Sequence, residues 1–337
     1  MIIIDGSAGE GGGQVLRTAL GLSLVTGRPF QITNIRGNRQ KPGLMRQHLT
    51  AVRAAAEVGK AQVDGAEIRS SRLSFAPGSI TPGAYRFSIG TAGSCTLVFQ
   101  AILPALLIAD GPSEVILEGG THNPMAPPFD FLDNTFLPLL NQMGAEVVAV
   151  LERPGFYPAG GGRLRIKIRP AKKLQPLELT DISNIRVSAR AISAELPSHI
   201  GRRELSVVQE KMNIDADRTE QVQLDTCGPG NTLSIFVHSD QLTETFTGFA
   251  EKRISAEKVA LRAVKQAKKY ITSGAPVGMY LADQLLIPLA MAGAGRYRTC
   301  MPTRHTLTNI EVIQQFLDVN FHWSEKPGDT LELHVES

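Results

Sequence analysis

The chain has 337 residues, 42% of them apolar, and a formal charge of +3 at neutral pH; this suits about two globular domains with a sizeable core and excludes a global polyanion-binding field, so any nucleic-acid site must be a local cluster. Three cysteines, Cys95, Cys227 and Cys300, without paired spacing exclude a zinc motif or disulfide framework and point to reduced thiols in a cytoplasmic protein. The start, Met1-Ile2-Ile3-Ile4-Asp5, lacks the basic and long apolar regions of a signal peptide, and the longest apolar run, Cys95 to Ala109, is too short for a bilayer, so no membrane partner is expected.

In chain order, Ile2–Asp5 reads as a buried strand and Gly12–Val25 as a helix ending at Gly27. Phe30–Ile35 alternates like a strand, Leu44–Val58 is helical, and Ala61–Ile68 and Arg72–Phe75 are strands stopped by Pro77-Gly78. The order then recurs as strand Tyr85–Ile89, helix Ser94–Ile108, strand Glu114–Glu118, helix Phe131–Met143 and strands Ala145–Glu152 and Arg163–Ile168. A β-α-β-α-β-β unit is thus used twice, with a period of roughly 80 residues, longer than solenoid repeats.

A third copy is split. Leu177–Leu179 is its first strand, and it resumes as helix Tyr280–Ala292, strand Tyr297–Met301, helix Leu307–Leu317 and strands at Phe321–Trp323 and Leu331–Val335. Between them lie about 90 residues with their own pattern: strands near Ile185–Ala191, Gln221–Leu224, Thr232–Val237 and Glu244–Phe249, and helices near Arg202–Met212 and Ala256–Tyr270. The fold class expected is α/β, with residues 1–180 and 274–337 as a large domain and 181–273 as an inserted small one.

Several segments can carry chemistry. Gly9-Glu10-Gly11-Gly12-Gly13-Gln14 joins a strand to a helix; successive glycines turn backbone N–H groups toward an anion. The run is neither a Walker A sequence nor G-x-G-x-x-G. Glu10 among the glycines is poised for a divalent cation, and Arg17 follows one turn into the helix. Arg36, Arg39, Lys41 and Arg46 crowd a Gly/Pro-rich loop beside Gln47 and His48, which suits phosphates, although a solvated basic loop is the commoner meaning of such a cluster. Gly90–Thr96 opens a helix where Ser94 and Thr96 are ordinary caps and Gln100 is polar on an apolar face.

Pro127-Pro128-Phe129-Asp130-Phe131 offers a flat wall for a purine or plain core packing. Gly155-Phe156-Tyr157-Pro158-Ala159-Gly160-Gly161-Gly162 is a further Gly-rich turn of low specificity. Tyr280, Asp283 and Gln284 fall on neighbouring positions of one helix face. His305, beside Arg304 at a strand-to-helix junction, belongs near a helix N-terminus, which favours neutral imidazole and attracts anions. A lone histidine is usually structural, and the other six are read that way.

Taken together, the stretches DGSAGEGGGQVLR at 5–17, IRGNRQKPGLMRQH at 35–48, GTAGSCTLVFQ at 90–100, GFYPAGGG at 155–162, YLADQ at 280–284 and HTLTNI at 305–310 resemble the RNA 3′-terminal phosphate cyclase family over essentially the whole chain. The resemblance implies three repeats similar to those of the enolpyruvyl transferases, with an inserted small α/β domain. It implies ATP and a divalent cation, Mg or Mn, as cofactors and an RNA with a 3′-phosphate end as partner, in a monomer or homodimer.

By resemblance, His305 takes AMP from ATP and passes it to the RNA 3′-phosphate, whose 2′-OH then closes a 2′,3′-cyclic phosphate. Glu10 is the metal candidate, and Arg17, Arg36, Arg39 and Gln47 line the phosphate region. Gln100, Pro127, Phe131, Tyr280, Leu281, Ala282, Asp283 and Gln284 form the adenylate pocket, with Tyr280 and Pro127 around the adenine. The rival readings are a non-catalytic RNA-binding relative in ribosome assembly, an enolpyruvyl transferase, since fold does not fix function, and an adenylyltransferase of 5′-phosphates.

Overall fold

The computed structural model describes residues 1–337. The first repeat is β1 (Ile2–Asp5), α1 (Gly13–Thr26), β2 (Phe30–Thr33), α2 (Arg46–Val58), β3 (Gln62–Asp64) and β4 (Leu73–Ala76). The second is β5 (Ala84–Ser88), α3 (Cys95–Leu106), β6 (Ser113–Gly119), α4 (Phe129–Phe131) running through a π turn, Leu132–Phe136, into α5 (Leu137–Gln142), then β7 (Glu146–Arg153) and β8 (Gly162–Arg169). The third opens with β9 (Glu178–Leu179). The inserted segment follows as β10 (Arg186–Ala194), α6 (His199–Met212), β11 (Thr219–Leu224), β12 (Gly230–His238), β13 (Thr243–Phe249) and α7 (Ala256–Ser273). The third repeat resumes with α8 (Met279–Ala292), β14 (Ala294–Thr299), α9 (Arg304–Phe316), β15 (Asn320–Lys326) and β16 (Thr330–Glu336).

The expected three-repeat α/β architecture is present. In every repeat the first strand pairs parallel with the second, as a helical crossover dictates, and the second and third both pair antiparallel with the fourth. Strand faces alternate between buried and open positions, as in β7 and β8, so one face of each sheet is covered. The covers are helices that also pack on each other across repeats: α1 on α3 and α9, α2 on α3, and α8 on α9. One continuous core runs through all three repeats. The inserted sheet, ordered β11-β10-β12-β13, builds a separate core with α6 and α7.

Buried polar groups tie the inserted sheet to the body. Asp130 at the start of α4 accepts from Ser234 Oγ at 2.8 Å and from Arg190 Nη1 at 3.3 Å. Glu244 Oε1 accepts the backbone N–H of Gly278, the N-cap of α8, at 2.6 Å. Each of these unions joins a charged or polar side chain to a partner, which is what makes such burial tolerable.

Several boundaries differ from expectation for local reasons. β2 stops at Thr33 because Asn34 and Arg36 adopt positive φ and turn the chain. β3 ends at Asp64 because Gly65, at φ 81°, opens a turn. The helix expected from Phe131 begins at Phe129, and the one expected from Leu307 begins at Arg304, capped by Thr303 Oγ1 accepting from Thr306 N–H at 3.1 Å. The second shift places His305 inside the first turn of α9.

Candidate active site

The N-terminal turns of four helices open on one cleft of about 710 Å³. α1 contributes Gly13, Gln14 and Arg17, α2 contributes Gln47 and His48, α3 its N-cap Ser94, and α9 His305. Each helix brings the positive end of its dipole to the cleft, which favours an anion there, although some end N–H groups are already taken, Cys95 by Gly120 O, Leu97 by Ser94 Oγ and Thr306 by Thr303 Oγ1. Glu10, Arg36 and Arg39 complete the wall. The six residues expected at the metal, the phosphates and the nucleophile, Glu10, Arg17, Arg36, Arg39, Gln47 and His305, therefore meet in one cavity.

His305 is oriented by a chain of hydrogen bonds. Asp283 Oδ1 accepts from Gln14 Nε2 at 2.6 Å, which turns the Gln14 amide oxygen toward His305 Nδ1 at 2.9 Å. An amide oxygen only accepts, so Nδ1 carries the ring hydrogen and Nε2 keeps its lone pair. Nε2 lies 3.8 Å from Glu10 Oε1, on the cleft side. Asp283 is itself held by Asn309 Nδ2 at 3.1 Å, and Asn309 Oδ1 accepts from Thr18 at 2.7 Å. Burial pushes the imidazole below its ordinary value; Asp283 opposes this, while Arg39 and Arg17 add to it. The ring is therefore mostly neutral at neutral pH, with the lone pair on Nε2.

The surrounding charges are unevenly satisfied. Arg17 donates from Nε to Gln100 Oε1 at 3.3 Å, and burial brings its guanidinium down to about 10, still cationic at neutral pH. Arg36 spends Nη1 on its own loop, at Lys41 O (2.6 Å) and Gly43 O (2.9 Å). Arg39 pairs with Glu10 Oε1, whereas the buried Glu10 Oε2 has no hydrogen-bond partner. An orphaned carboxylate oxygen beside an anion cradle fits a hard divalent cation that shares its ligands between one carboxylate and phosphate oxygens. It does not fit an all-protein cage, because no group of three or more His, Cys, Asp or Glu side chains gathers anywhere.

The residues expected in the adenylate pocket are only partly assembled. Gln100, Asp283 and Gln284 line a crevice between α1, α3, α8 and α9 that holds about 60 Å³, and Gln100 Nε2 donates to Gln284 Oε1 across it. Leu281, Ala282 and Phe131 have side chains buried in the core. Pro127 is partly buried and Tyr280 is 56% exposed; neither lines the crevice or the cleft.

A family model described as RNA 3′-terminal phosphate cyclase matches residues 8–323. The chain belongs to that family. It is similar to an RNA 3′-terminal phosphate cyclase of Koribacter versatilis (strain Ellin345), 52% identical over 328 residues that cover 97% of this chain and 92% of that one.

Within this cyclase-family chain, sequence reasoning gave no separate role to four residues of the site, of which Gln14 and His48 line the cleft while Thr308 and Asn309 hold Glu10 and Asp283. Gln14 was legible only as the end of the glycine run, yet it sets the tautomer of His305. His48 is buried, and burial, with Arg17 and Arg36 nearby, takes its imidazole down to about 3. Thr308 Oγ1 accepts the N–H of Glu10 at 2.9 Å; Gly9 has φ 57°, and a Cβ there would overlap the Thr308 hydroxyl. Asn309 clamps Asp283. A signal for the last two was present: they follow His305 by three and four positions, the spacing of one helix face.

Proposed function

We propose that this protein uses ATP to convert an RNA 3′-terminal phosphate into a 2′,3′-cyclic phosphate. The observation that carries the reading is a neutral histidine, its tautomer fixed by Gln14, with the free Nε2 beside four converging helix ends and three arginines. His305 Nε2 attacks the α-phosphorus of ATP; a P–N bond forms, the P–O bond to pyrophosphate breaks, and pyrophosphate leaves. An oxygen of the RNA 3′-phosphate then attacks that phosphorus, frees His305 and forms an RNA–adenylate anhydride. The neighbouring 2′-OH attacks the activated RNA phosphorus, loses its proton and expels AMP.

Each step places charge where the cleft has donors. Arg17, Arg36 and Arg39, with the helix ends, stabilise phosphate oxygens as they charge. Gln14 Oε1 accepts the hydrogen bond from Nδ1–H as positive charge develops on the ring, and Asp283 behind it favours that charge. Glu10 would hold Mg²⁺ or Mn²⁺, which supplies charge neutralisation on phosphate oxygens. The requirement for a 2′-OH makes the reaction one of RNA and not DNA. We read residues 181–273 as an inserted domain that buttresses α8 through Glu244. No helix is long and apolar enough to cross a membrane, and the free thiols suit a reducing cytoplasm.

The test is incubation with α-labelled ATP and magnesium, followed by denaturing electrophoresis, for wild type and His305→Ala. An acid-labile label on wild type alone supports the covalent step. RNA binding without any label would replace this reading with that of a non-catalytic RNA-binding relative.

A further inference from the structure

Tyr157 is not accounted for by the nucleotide chemistry. Of the five tyrosines, Tyr85, Tyr270 and Tyr297 are buried with their hydroxyls bonded to backbone carbonyls. Tyr157 is 70% exposed and lines the arginine cleft, as does Met125, 91% exposed at φ 66°. Two large side chains with apolar faces standing in water on the wall of a cavity that also holds three arginines leave contact area for a ligand.

The stand beneath Tyr157 is rigid. Its neighbour Phe156 is 3% exposed, stacks on His122 with ring centroids 5.4 Å apart, and wedges against Gly230 of β12. Gly160 N–H closes the turn on Phe156 O at 2.7 Å. Gly160 also lies so close to Ala92 that any Cβ would clash with its backbone, which locks the turn to the loop leading into α3. That loop is tied to the phosphate wall, since Ser94 N–H donates to Gln47 Oε1 at 2.7 Å. An aromatic ring on a fixed base beside a cationic groove is the arrangement that holds single-stranded nucleic acid, with phosphates on the cations and a base on the ring.

We infer that Tyr157, with Met125 lining the same cleft, is the stacking platform for the 3′-terminal base of the RNA whose phosphate lies among Arg17, Arg36 and Arg39. The inference rests on the RNA-end reading above and adds a subsite to it. Stacking recognises any base by its face, so the platform orients the terminal nucleotide without selecting its sequence.

The experiment measures binding of two fluorescent oligoribonucleotides by anisotropy, without ATP, so that catalysis plays no part. Both end in a 3′-phosphate; one carries its terminal base and the other an abasic ribose. Wild type should bind the base-bearing RNA about tenfold more tightly. Tyr157→Ala should bind both at the weaker level, and Tyr157→Phe should match wild type. Equal binding of the two RNAs by wild type, or a tenfold preference retained by Tyr157→Ala, overturns the platform. Should Tyr157→Ala melt early, the wild-type pair alone decides. Labelling of the same wild-type preparation by ATP is read separately, so failure of the cyclase reading is distinguished from failure of the subsite.

Discussion

The cleft and the crevice beside it were built by different means. The cleft is walled by backbone: four helix ends and a glycine run stand in place because the repeats pack as they do. The crevice is gated by side chains, with Gln100 bonded to Gln284 across a space that holds only a few waters. On the proposed reading, an anion subsite of this kind exists before its ligand arrives, whereas a base subsite at the crevice would open only when a ligand replaces the bond between Gln100 and Gln284.

Experiments can break this contrast. The largest effect belongs to His305→Ala, which removes the proposed nucleophile and should lower covalent labelling by on the order of a thousandfold or more, to the gel background. Arg39→Ala removes one preformed cation and also leaves Glu10 unpaired; kcat/KM for ATP should fall about a hundredfold. Gln14→Leu keeps the volume but frees the imidazole tautomer, and labelling should slow by about thirtyfold with little change in melting temperature. A Gln14→Leu protein that labels at the wild-type rate would show that the ring is oriented by something else.

The same contrast can be sharpened with milder probes. His48 has its folded value depressed from 6.5 to about 3, so the unfolded chain binds the extra proton between those limits. Stability contributed there is complete above pH 6.5 and is lost as pH falls toward 3, at up to about 1.4 kcal/mol per pH unit. Urea titrations at stepped pH should show that slope, and His48→Gln should flatten it. Smallest of all, tripolyphosphate at tenfold its dissociation constant should raise the melting temperature by about 2–4 °C through the open cleft, while adenosine at equal concentration should not. Stabilisation by adenosine alone would mean the crevice is already competent for a base.

What the sequence disclosed follows the same division. The repeats were legible because each writes the same alternation of periods, two for strands and three to four for helices. His305 and the arginines were legible because their loops combine glycine or helix-start signals with charge. The pairing in which the fourth strand lies between the second and the third left no such mark, since hydrophobic period fixes a strand's face and not its neighbour. Gln14 depends on Asp283, 269 positions away, and such a partner has no local signature. Tyr280 shares a helix with Asp283 and Gln284, yet it sits at the exposed N-terminal turn of α8, where one position of rotation moves a side chain from crevice to solvent.

The clasp between Glu10 and Thr308 spans 298 positions and joins the first repeat to the third. A nascent chain that has emerged only through its second repeat already displays the arginines but has neither His305 nor the helix end that completes the cradle. Catalytic competence therefore arrives late in synthesis, with the closing of a ring of repeats, and contacts of such long range make that closure a slow event in folding. On the proposed mechanism, a half-made chain lacks the histidine that would take AMP from ATP.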